Sequence, residues 1–327
     1  MKKRLFSGIQ PSGDVHLGNY LGAIKNWVRM IDQYDCIFCI VDYHAITIEY
    51  EPKDMRKRIL NAAATNIAAG LDPERCTVFV QSHVPEHTEL AWILNSVTPM
   101  GHLERMTQFK DKAEQHRGNI NAGLFTYPVL QAADIMLYKG EAVPVGEDQV
   151  QHIELSREIA RKFNMRYGET FPDPAELLSE APRIMGLDGK TKMSKSLGNY
   201  ISLIESPESI GKKLATAVTD ENRKRRADPG NPDICNLFRL HKHFSGKEQI
   251  ENINAVCRTA EIGCVQCKKI LADAIIEALA PIRQRYEQLI QEPDVLLDIV
   301  KTGAKRCKEI AGNTMHEVKK KMGLSLL

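Results

Sequence analysis

Short apolar segments that alternate with helical patterns constrain the fold of the first half of the chain most strongly. Residues 36–41 are apolar without interruption, as expected for a strand that is buried on both faces. Similar strand candidates lie at 5–9, 77–80 and 143–145. An Ala-rich helical pattern that Pro52 opens separates two of them. This alternation predicts an α/β fold with a Rossmann-like, doubly wound parallel sheet.

The pattern becomes helical towards the end of the chain. Residues 88–138 indicate a helical insertion within a first domain of residues 1–200. Apolar residues then recur at spacings of three and four, from Leu271 to Leu289 and from Cys307 to Met322. We therefore predict an α-helical second domain at residues 201–327.

Composition excludes several classes of protein. The hydrophobic content of 43% argues against a disordered chain, and a net charge of +2 argues against binding nucleic acid through overall charge. No apolar run approaches the length of a membrane span. The basic start lacks the apolar core of a signal peptide, so we predict a cytoplasmic protein whose cysteines form no disulfide framework.

The run Lys192-Met193-Ser194-Lys195-Ser196 carries two ammonium groups and two hydroxyls with little bulk. It follows a segment that contains Gly186 and Gly189, so we expect a mobile loop. This chemistry suits a clamp on a polyphosphate.

A second segment, residues 10–19, follows the first strand and opens a helix. Gly13 allows close approach of the backbone to a ligand, and the helix start is expected to offer free amides to phosphate. His16 and Asn19 can donate hydrogen bonds to oxyanions. An ordinary strand–turn–helix with a surface histidine is the alternative, and we would prefer it if residues 192–196 were absent.

Taken together, these two segments resemble the paired nucleotide motifs of class I aminoacyl-tRNA synthetases, in the tryptophanyl branch. Asn19 stands where the wider class usually has a second histidine, and this departure is common in that branch. The resemblance implies activation of L-tryptophan with ATP and Mg²⁺, transfer to tRNA(Trp), and a homodimer. It also implies that residues 1–200 are catalytic and residues 201–327 recognise the anticodon.

The resemblance assigns roles to individual residues. Lys192 and Lys195 hold the departing pyrophosphate, and Lys112 closes on it from the other side unless it is a plain surface lysine. The residues expected to bind ATP are Gln10, Pro11, Ser12, His16, Gly18, Asn19, Gly146, Glu147, Asp148, Met185, Lys192, Met193, Ser194, Lys195 and Ser196.

Asp134 lies in an otherwise apolar helical segment, where a carboxylate needs a partner. The resemblance makes that partner the indole N–H of tryptophan; from spacing alone, a nearby backbone group or an arginine would be favoured. Gln131 stands where many relatives carry methionine. The residues expected to line the pocket are Phe6, Val41, His44, Gln108, Tyr127, Gln131, Asp134, Val143, Val145 and Gln149, although each apolar one could also be plain core.

Two other functions compete with this one. A tyrosyl enzyme of the same class is the nearest, and Asp134 together with residues 146–149 argues against it. A non-catalytic RNA-binding or iron–sulfur regulatory protein that kept the fold is the second. The intact Lys192 and Lys195 argue against that protein.

Four of the eight cysteines, Cys235, Cys257, Cys264 and Cys267, follow the pattern C-x21-C-x6-C-x2-C. Four thiolates suit an iron–sulfur cluster or a structural Zn²⁺, and nearby histidines leave a mixed zinc site open. The spacing resembles that of the tryptophanyl-tRNA synthetases that carry a [4Fe-4S] cluster, which implies such a cluster here.

Overall fold

A parallel β-sheet organises the N-terminal half of the protein in the computed structural model. The structure describes residues 2–11, 13–115, 120–178 and 184–325, without the side chains at 111–113 and 115. Within these residues the sheet has five strands, namely β1 (Arg4–Ile9), β2 (Asp35–Ile40), β3 (Thr77–Val80), β4 (Ala142–Val145) and β5 (Ala175–Leu178). The order is β3-β2-β1-β4-β5 and every pairing is parallel. The predicted Rossmann-like α/β class is confirmed.

The sheet order reverses between β1 and β4. In doubly wound folds, ligands bind beyond the carboxyl ends of the strands at such a switch point. Residues 10 and 11 directly follow the carboxyl end of β1, and residues 146–149 directly follow that of β4. The sequence segments singled out above therefore begin at the edge where this topology places ligands.

The helices of the described chain are α1 (Leu17–Asn19), α2 (Lys25–Met30), α3 (Asp42–Ala45), α4 (Pro52–Ala68), α5 (Glu86–Asn95), α6 (Met100–Glu104), α7 (Thr107–Gln115), α8 (Ala122–Leu137), α9 (Val150–Tyr167), α10 (Pro207–Thr216), α11 (Asn236–Phe244), α12 (Lys247–Arg258), α13 (Cys264–Gln291) and α14 (Pro293–Lys321). A π-helical stretch, Tyr20–Ile24, joins α1 to α2, and single 3₁₀ turns cover Gln81–His83 and Glu147–Gln149. None of the described helices is both long and apolar enough to cross a bilayer.

Strand β5 is the one strand that we did not expect from the sequence. Its two end residues are exposed and its two central residues are half-buried, because it pairs only with β4 at the edge of the sheet. It therefore lacks the continuous apolar run that marked β2. The other four strands lie within a residue of their predicted positions.

The described chain separates into two compact units. The sheet unit comprises Met1–Gly13, Ala23–Glu180 and Leu289–Leu327, and the helical unit comprises Asp14–Gly22 and Ala181–Gln288. The predicted helical character of the C-terminal region is confirmed. The predicted boundary at residue 200 separated a catalytic domain from an anticodon-recognition domain, and this functional division stays a prediction. The compact units do not divide the chain at that residue.

Helix α14 returns to the sheet unit and packs on β3. A Cβ atom on Gly303 would lie 2.1 Å from the carbonyl oxygen of Val78, so only glycine fits at this contact. Arg306 of the same helix donates to Asp35 over 2.7 Å. Cys307, Ala311, Met315 and Val318 join the hydrophobic core that also includes Phe6, Ile37 and Phe79. The periodic apolar face predicted for this helix is thus buried against the sheet unit.

Candidate functional site

Residues 184–199, called here the signature loop, form a short hairpin in the helical unit. Met185 and Lys192 pair as an antiparallel bridge, and the amide of Gly186 donates to the carbonyl of Thr191 over 2.8 Å. Gly189 lies at the turn with φ of +66°, a conformation that favours glycine. Lys192 therefore lies within a defined hairpin, and the rest of the run to Ser196 follows it.

Asn199 holds the signature loop together. Its amide group donates to Asp188 over 2.9 Å and to the Thr191 hydroxyl over 2.8 Å, while its carbonyl accepts the Ser194 amide over 2.8 Å. A Cβ atom on Gly186 would lie 2.0 Å from the Asn199 amide nitrogen, so this contact requires glycine. Hydrogen bonds from Thr191 and Asn199 hold the pKa of Asp188 well below its usual value.

His16 lies in the same unit, and the charges of both lysines of the signature loop affect the pKa of its ring. Its pKa falls to about 4, mainly through burial and then through the charges of Lys195 and Lys192. The ring Nδ1 accepts the Asn19 amide over 3.3 Å, and the Asn19 side chain accepts the His16 amide over 3.1 Å. Because Nδ1 accepts, the neutral ring carries its proton on Nε2. His16 is therefore a neutral donor near pH 7, and its ring is oriented by the backbone amide of Asn19.

The start of helix α1 offers fewer free amides than we expected from the sequence. The Leu17 amide donates to the carbonyl of Ile201 over 3.0 Å, and the Asn19 amide donates to the carbonyl of His16 over 2.9 Å. Helix α1 also changes to the π-helical stretch after three residues. For binding an anion, the positive charges of Lys192 and Lys195 thus contribute more here than the amides at the start of α1.

Asp134 forms a buried cluster on α8 in the sheet unit, together with His44, Gln81 and His87. Asp134 is 1% exposed. Among the described residues, His44 Nε2 lies 2.7 Å from Oδ2, while Gln81 Nε2 and His87 Nδ1 lie 2.7 and 2.6 Å from Oδ1. Burial alone would raise the pKa of Asp134, but His44 and His87 bring it below its usual value. We call these four residues the carboxylate cluster.

The partners of Asp134 are histidines and a glutamine rather than the backbone group or arginine favoured by spacing alone. His44 itself packs edge-on against the ring of Tyr127, with ring centres 6.3 Å apart. Phe6 stacks on Tyr138 at 5.5 Å. Of the residues expected to line a tryptophan pocket, Phe6, Val41, Tyr127 and Val143 are buried, whereas Val145 and Gln131 are half-buried.

A polar group formed by Gln108, Asp148 and Gln149 lies at the start of α9. The amide groups of Gln108 and Gln149 donate to Asp148 Oδ2 over 3.1 and 2.9 Å. A Cβ atom on Gly146 would approach Asp148 Oδ1 to 2.7 Å. Glu147 is exposed beside them. Ser12 and the side chain of Lys112 lie outside the described residues, so their expected roles stay predictions.

A separate cleft of about 400 Å³ opens between α3, α5 and α8 of the sheet unit. Tyr43, Ile46, Trp92, Tyr127 and Leu130 are among the residues that line it, and Asp134 is not. The Trp92 side chain is 78% exposed. This cleft is an apolar surface feature, distinct from the carboxylate cluster.

The four late cysteines lie near one another in the helical unit. Burial, and after it the charges of Cys235, Cys257 and Cys264, raise the pKa of Cys267 to about 12. Arg223 Nη1 lies 3.9 Å from the sulfurs of both Cys257 and Cys264. Within the described residues, no group of three or more histidine, cysteine, aspartate or glutamate side chains has the spacing of a metal site.

Arg223 and Arg226 support the segment that carries these cysteines. Arg223 donates to the carbonyl of Ile262 over 2.9 Å, and Arg226 donates to the carbonyls of Ala260 and Glu261 over 2.6 and 2.9 Å. His241 Nε2 lies 3.4 Å from the Cys267 sulfur, and its Nδ1 lies 2.7 Å from the Ser245 hydroxyl.

Sequence reasoning missed several residues that the structure places in these clusters. Gln81 and His87 complete the carboxylate cluster, and Asp188 and Asn199 hold the signature loop. Gln81 could have been found, because it is the first polar residue after an apolar strand. His87 carried no such signal, since its neighbours in the chain are polar as well.

The comparisons with known proteins agree with one another. Residues 1–280 match the model of a family described as tRNA synthetases class I (W and Y). A tryptophan–tRNA ligase from Deinococcus radiodurans is 51% identical to the chain, over 98% of this chain and 98% of the relative. One from Gloeobacter violaceus is 48% identical, over 98% of this chain and 96% of the relative. A tryptophanyl-tRNA synthetase from Campylobacter jejuni, solved with ADP and tryptophan, has a TM-score of 0.93 at 36% identity; 98% of this chain and all of that chain are covered.

Proposed function

Because this chain belongs to the class I tRNA synthetases for tryptophan and tyrosine, we propose that it is a tryptophan–tRNA ligase. It activates L-tryptophan with ATP to tryptophanyl-adenylate and pyrophosphate, and then transfers tryptophan to the 3′ end of tRNA(Trp). The observation that carries this proposal is the packing of two segments that are far apart in the chain: a Cβ atom on Gly18 would lie 3.4 Å from the Cβ atom of Met193. The charges of Lys195 and Lys192 accordingly add to burial in lowering the pKa of His16.

The first step needs positioning and charge stabilisation rather than a protein nucleophile. The carboxylate of tryptophan is already ionised and attacks the α-phosphorus of ATP, and the pyrophosphate leaves with additional negative charge. Lys192 and Lys195 stabilise that charge, and Lys112 assists them. Mg²⁺ accompanies the nucleotide, held mainly by its phosphate oxygens and water.

The nucleotide residues divide into donors and backbone contacts. His16 donates from Nε2 as a neutral ring, and Asn19 keeps that ring oriented. Ser194 and Ser196 lie with their hydroxyl oxygens 2.9 Å apart, so either can turn towards a phosphate. The remaining residues of this set provide backbone or van der Waals contacts, and they are Gln10, Pro11, Ser12, Gly18, Met185 and Met193, with Gly146, Glu147 and Asp148 contacting the ribose.

Tryptophan is recognised through Asp134. Its carboxylate accepts the indole N–H, so an amino acid without that donor leaves a buried acceptor unpaired, which is strongly unfavourable. Phe6, Val41, Tyr127, Val143 and Val145 form the walls, His44 lies beside the Asp134 carboxylate, and Gln108, Gln131 and Gln149 provide polar contacts.

ATP–pyrophosphate exchange with each amino acid tests this function. We expect exchange with tryptophan and little with tyrosine or phenylalanine. Exchange with tyrosine but not tryptophan would make the chain a tyrosyl enzyme. Absence of exchange with every amino acid would instead indicate a non-catalytic protein that kept the fold.

We further propose that Cys235, Cys257, Cys264 and Cys267 hold a [4Fe-4S] cluster, with structural Zn²⁺ as the alternative. Four thiols are the donors that either centre takes, and they lie close enough to perturb one another's pKa, although the described side chains do not have the spacing of a metal site in this structure. A Cβ atom on Gly230 would lie 2.5 Å from the Cys257 sulfur, so glycine leaves space at this thiol. The guanidinium of Arg223 beside two of the sulfurs would offset the negative charge of a thiolate-bound centre. A role in structure or RNA positioning follows, since the activation chemistry needs no redox centre.

Anaerobic purification tests the cluster. We expect brown protein that absorbs near 400 nm and contains roughly four irons per chain, and Cys264→Ser should lose both the colour and the iron. Cys76→Ser is the matched control, because Cys76 is a free thiol in the sheet unit. Stoichiometric zinc in colourless protein would establish the alternative, and metal-free protein would refute both. We also propose a cytoplasmic location, which cell fractionation can check.

We also propose that the chain forms a homodimer. The second copy covers the cleft lined by Tyr43, Ile46, Trp92, Tyr127 and Leu130, called here the Trp92 cleft. Two apolar residues that line the cleft, Trp92 and Ile46, are 78% and 47% exposed, and exposed apolar residues that cluster in this way are typical of interfaces. Trp92→Glu is expected to shift the mass measured by sedimentation from two chains to one. Met165→Glu is the control, because Met165 is 84% exposed and does not line the cleft. An unchanged mass for Trp92→Glu would exclude this face.

A further inference from the structure

Asp134 has an unequal distribution of partners on its two oxygens. Among the described residues, Oδ1 accepts from both Gln81 and His87, while Oδ2 faces only His44. An ionised carboxylate offers about two acceptor positions on each oxygen. Oδ1 is therefore saturated, and the remaining acceptor position is on Oδ2, beside His44.

His87 has its own fixed partner on the side away from Asp134. Its side chain is fully buried, and its Nε2 lies 2.7 Å from the hydroxyl oxygen of Tyr138. Since an ionised carboxylate only accepts, His87 donates from Nδ1 and accepts the Tyr138 hydroxyl proton at Nε2. Burial raises the pKa of Tyr138 far above its usual value, so this hydroxyl keeps its proton. The two contacts fix both the ring and its tautomer.

Gln81 is fixed in a comparable way. Its side-chain carbonyl accepts the Tyr43 amide over 3.1 Å, and its amide group donates to Asp134 over 2.7 Å. The Gln81 side chain is fully buried. Both donors to Oδ1 are thus fixed by a second hydrogen bond of their own. The carboxylate therefore cannot rotate without breaking two buried hydrogen bonds.

We infer that His87 and Gln81 are positioning residues that saturate Oδ1 of Asp134 and leave Oδ2 as the acceptor that selects an N–H donor in the substrate. This inference rests on the proposed tryptophan specificity and names the residues that support it. Without one of these donors, the carboxylate can rotate towards the freed position or take up a proton. Either change reduces the penalty for a ligand that lacks the N–H.

The test compares tryptophan with 3-(3-benzothienyl)alanine, in which sulfur replaces the indole N–H at nearly the same size. The measured quantity is the ratio of kcat/KM values for the two amino acids in ATP–pyrophosphate exchange. We expect His87→Leu to lower this ratio at least tenfold. His87→Asn retains an amide donor near the Nδ1 position and should stay within about threefold of the parent protein.

Gln81→Met provides an independent variant of similar size and should also lower the ratio, which keeps the inference testable if His87→Leu does not fold. Equal losses for both amino acids in His87→Leu, or in Gln81→Met when His87→Leu does not fold, would overturn the inference and leave a purely structural role. A parent protein that does not activate tryptophan would instead contradict the proposed function, so the two failures are distinguishable.

Discussion

Lys195→Ala is expected to lower the rate constant of tryptophan-dependent ATP–pyrophosphate exchange by about 100- to 1,000-fold, with a much smaller change in the KM for tryptophan. The Lys195 side chain is half-buried, and burial lowers its pKa although Asp14 opposes the shift. A charge in such a place interacts more strongly with a leaving pyrophosphate than one in bulk water. The loss should therefore appear in kcat, because the interaction strengthens as the α-phosphate bond breaks.

Lys190→Ala is the matched control for this prediction. Lys190 lies on the same loop, is exposed and pairs with Glu221 over 3.4 Å, so its removal should change exchange by less than about threefold, since exposed ion pairs contribute little. An equal loss in both variants would mean that the loop contributes only general positive charge. A change confined to KM would indicate that Lys195 binds ATP in the ground state without stabilising the transition state.

Asp134→Asn is expected to lower kcat/KM for tryptophan by roughly 1,000-fold or more. The substitution puts an amide donor among side chains that donate to the carboxylate, so at least one buried hydrogen bond is lost and the Oδ2 acceptor is misplaced. The loss should be far smaller for 3-(3-benzothienyl)alanine, which never used that acceptor. Exchange kinetics with both amino acids check the prediction.

A loss of stability could produce a similar decrease, so Asp42→Asn serves as the control. Asp42 is also a buried carboxylate of the sheet unit, and it accepts the Ser82 amide over 3.0 Å. We expect both variants to melt at lower temperatures, while only Asp134→Asn loses the preference for tryptophan. Loss of that preference in Asp42→Asn as well would show that it depends on the general integrity of the unit.

The elements that were predictable from the sequence are those whose pattern depends on local burial. Strand β2 is enclosed on both faces after Asp35, so its residues from Cys36 to Ile40 are uniformly apolar. Strand β5 was missed because an edge strand with half-exposed residues has no such pattern. The apolar face of α14 was visible in the sequence, but periodicity shows which face is buried and not which element covers it.

The same limit applies to the clusters of functional residues. The lysines of the signature loop and His16 could be identified because each lies in a short contiguous motif. Gln81 and His87 are close in sequence, but Asp134 comes from a distant segment of the chain. Their contact depends on how α5 packs against α8, which no local pattern encodes. Asn199 was overlooked for another reason, since a polar residue at the end of a loop is unremarkable until its hydrogen-bond partners are known.

The packing of α14 on β3 has a consequence for how the protein is made. Thr77 and Arg306, which are in contact, are separated by 229 residues, and a ribosome adds roughly 5–20 residues per second. The third strand must therefore wait on the order of ten seconds or more before its covering helix emerges. Nearly all of the helical unit is translated during that interval. Synthesis thus delays completion of the sheet unit, so a chain released before α14 would expose the β3 surface and depend on chaperones to avoid aggregation.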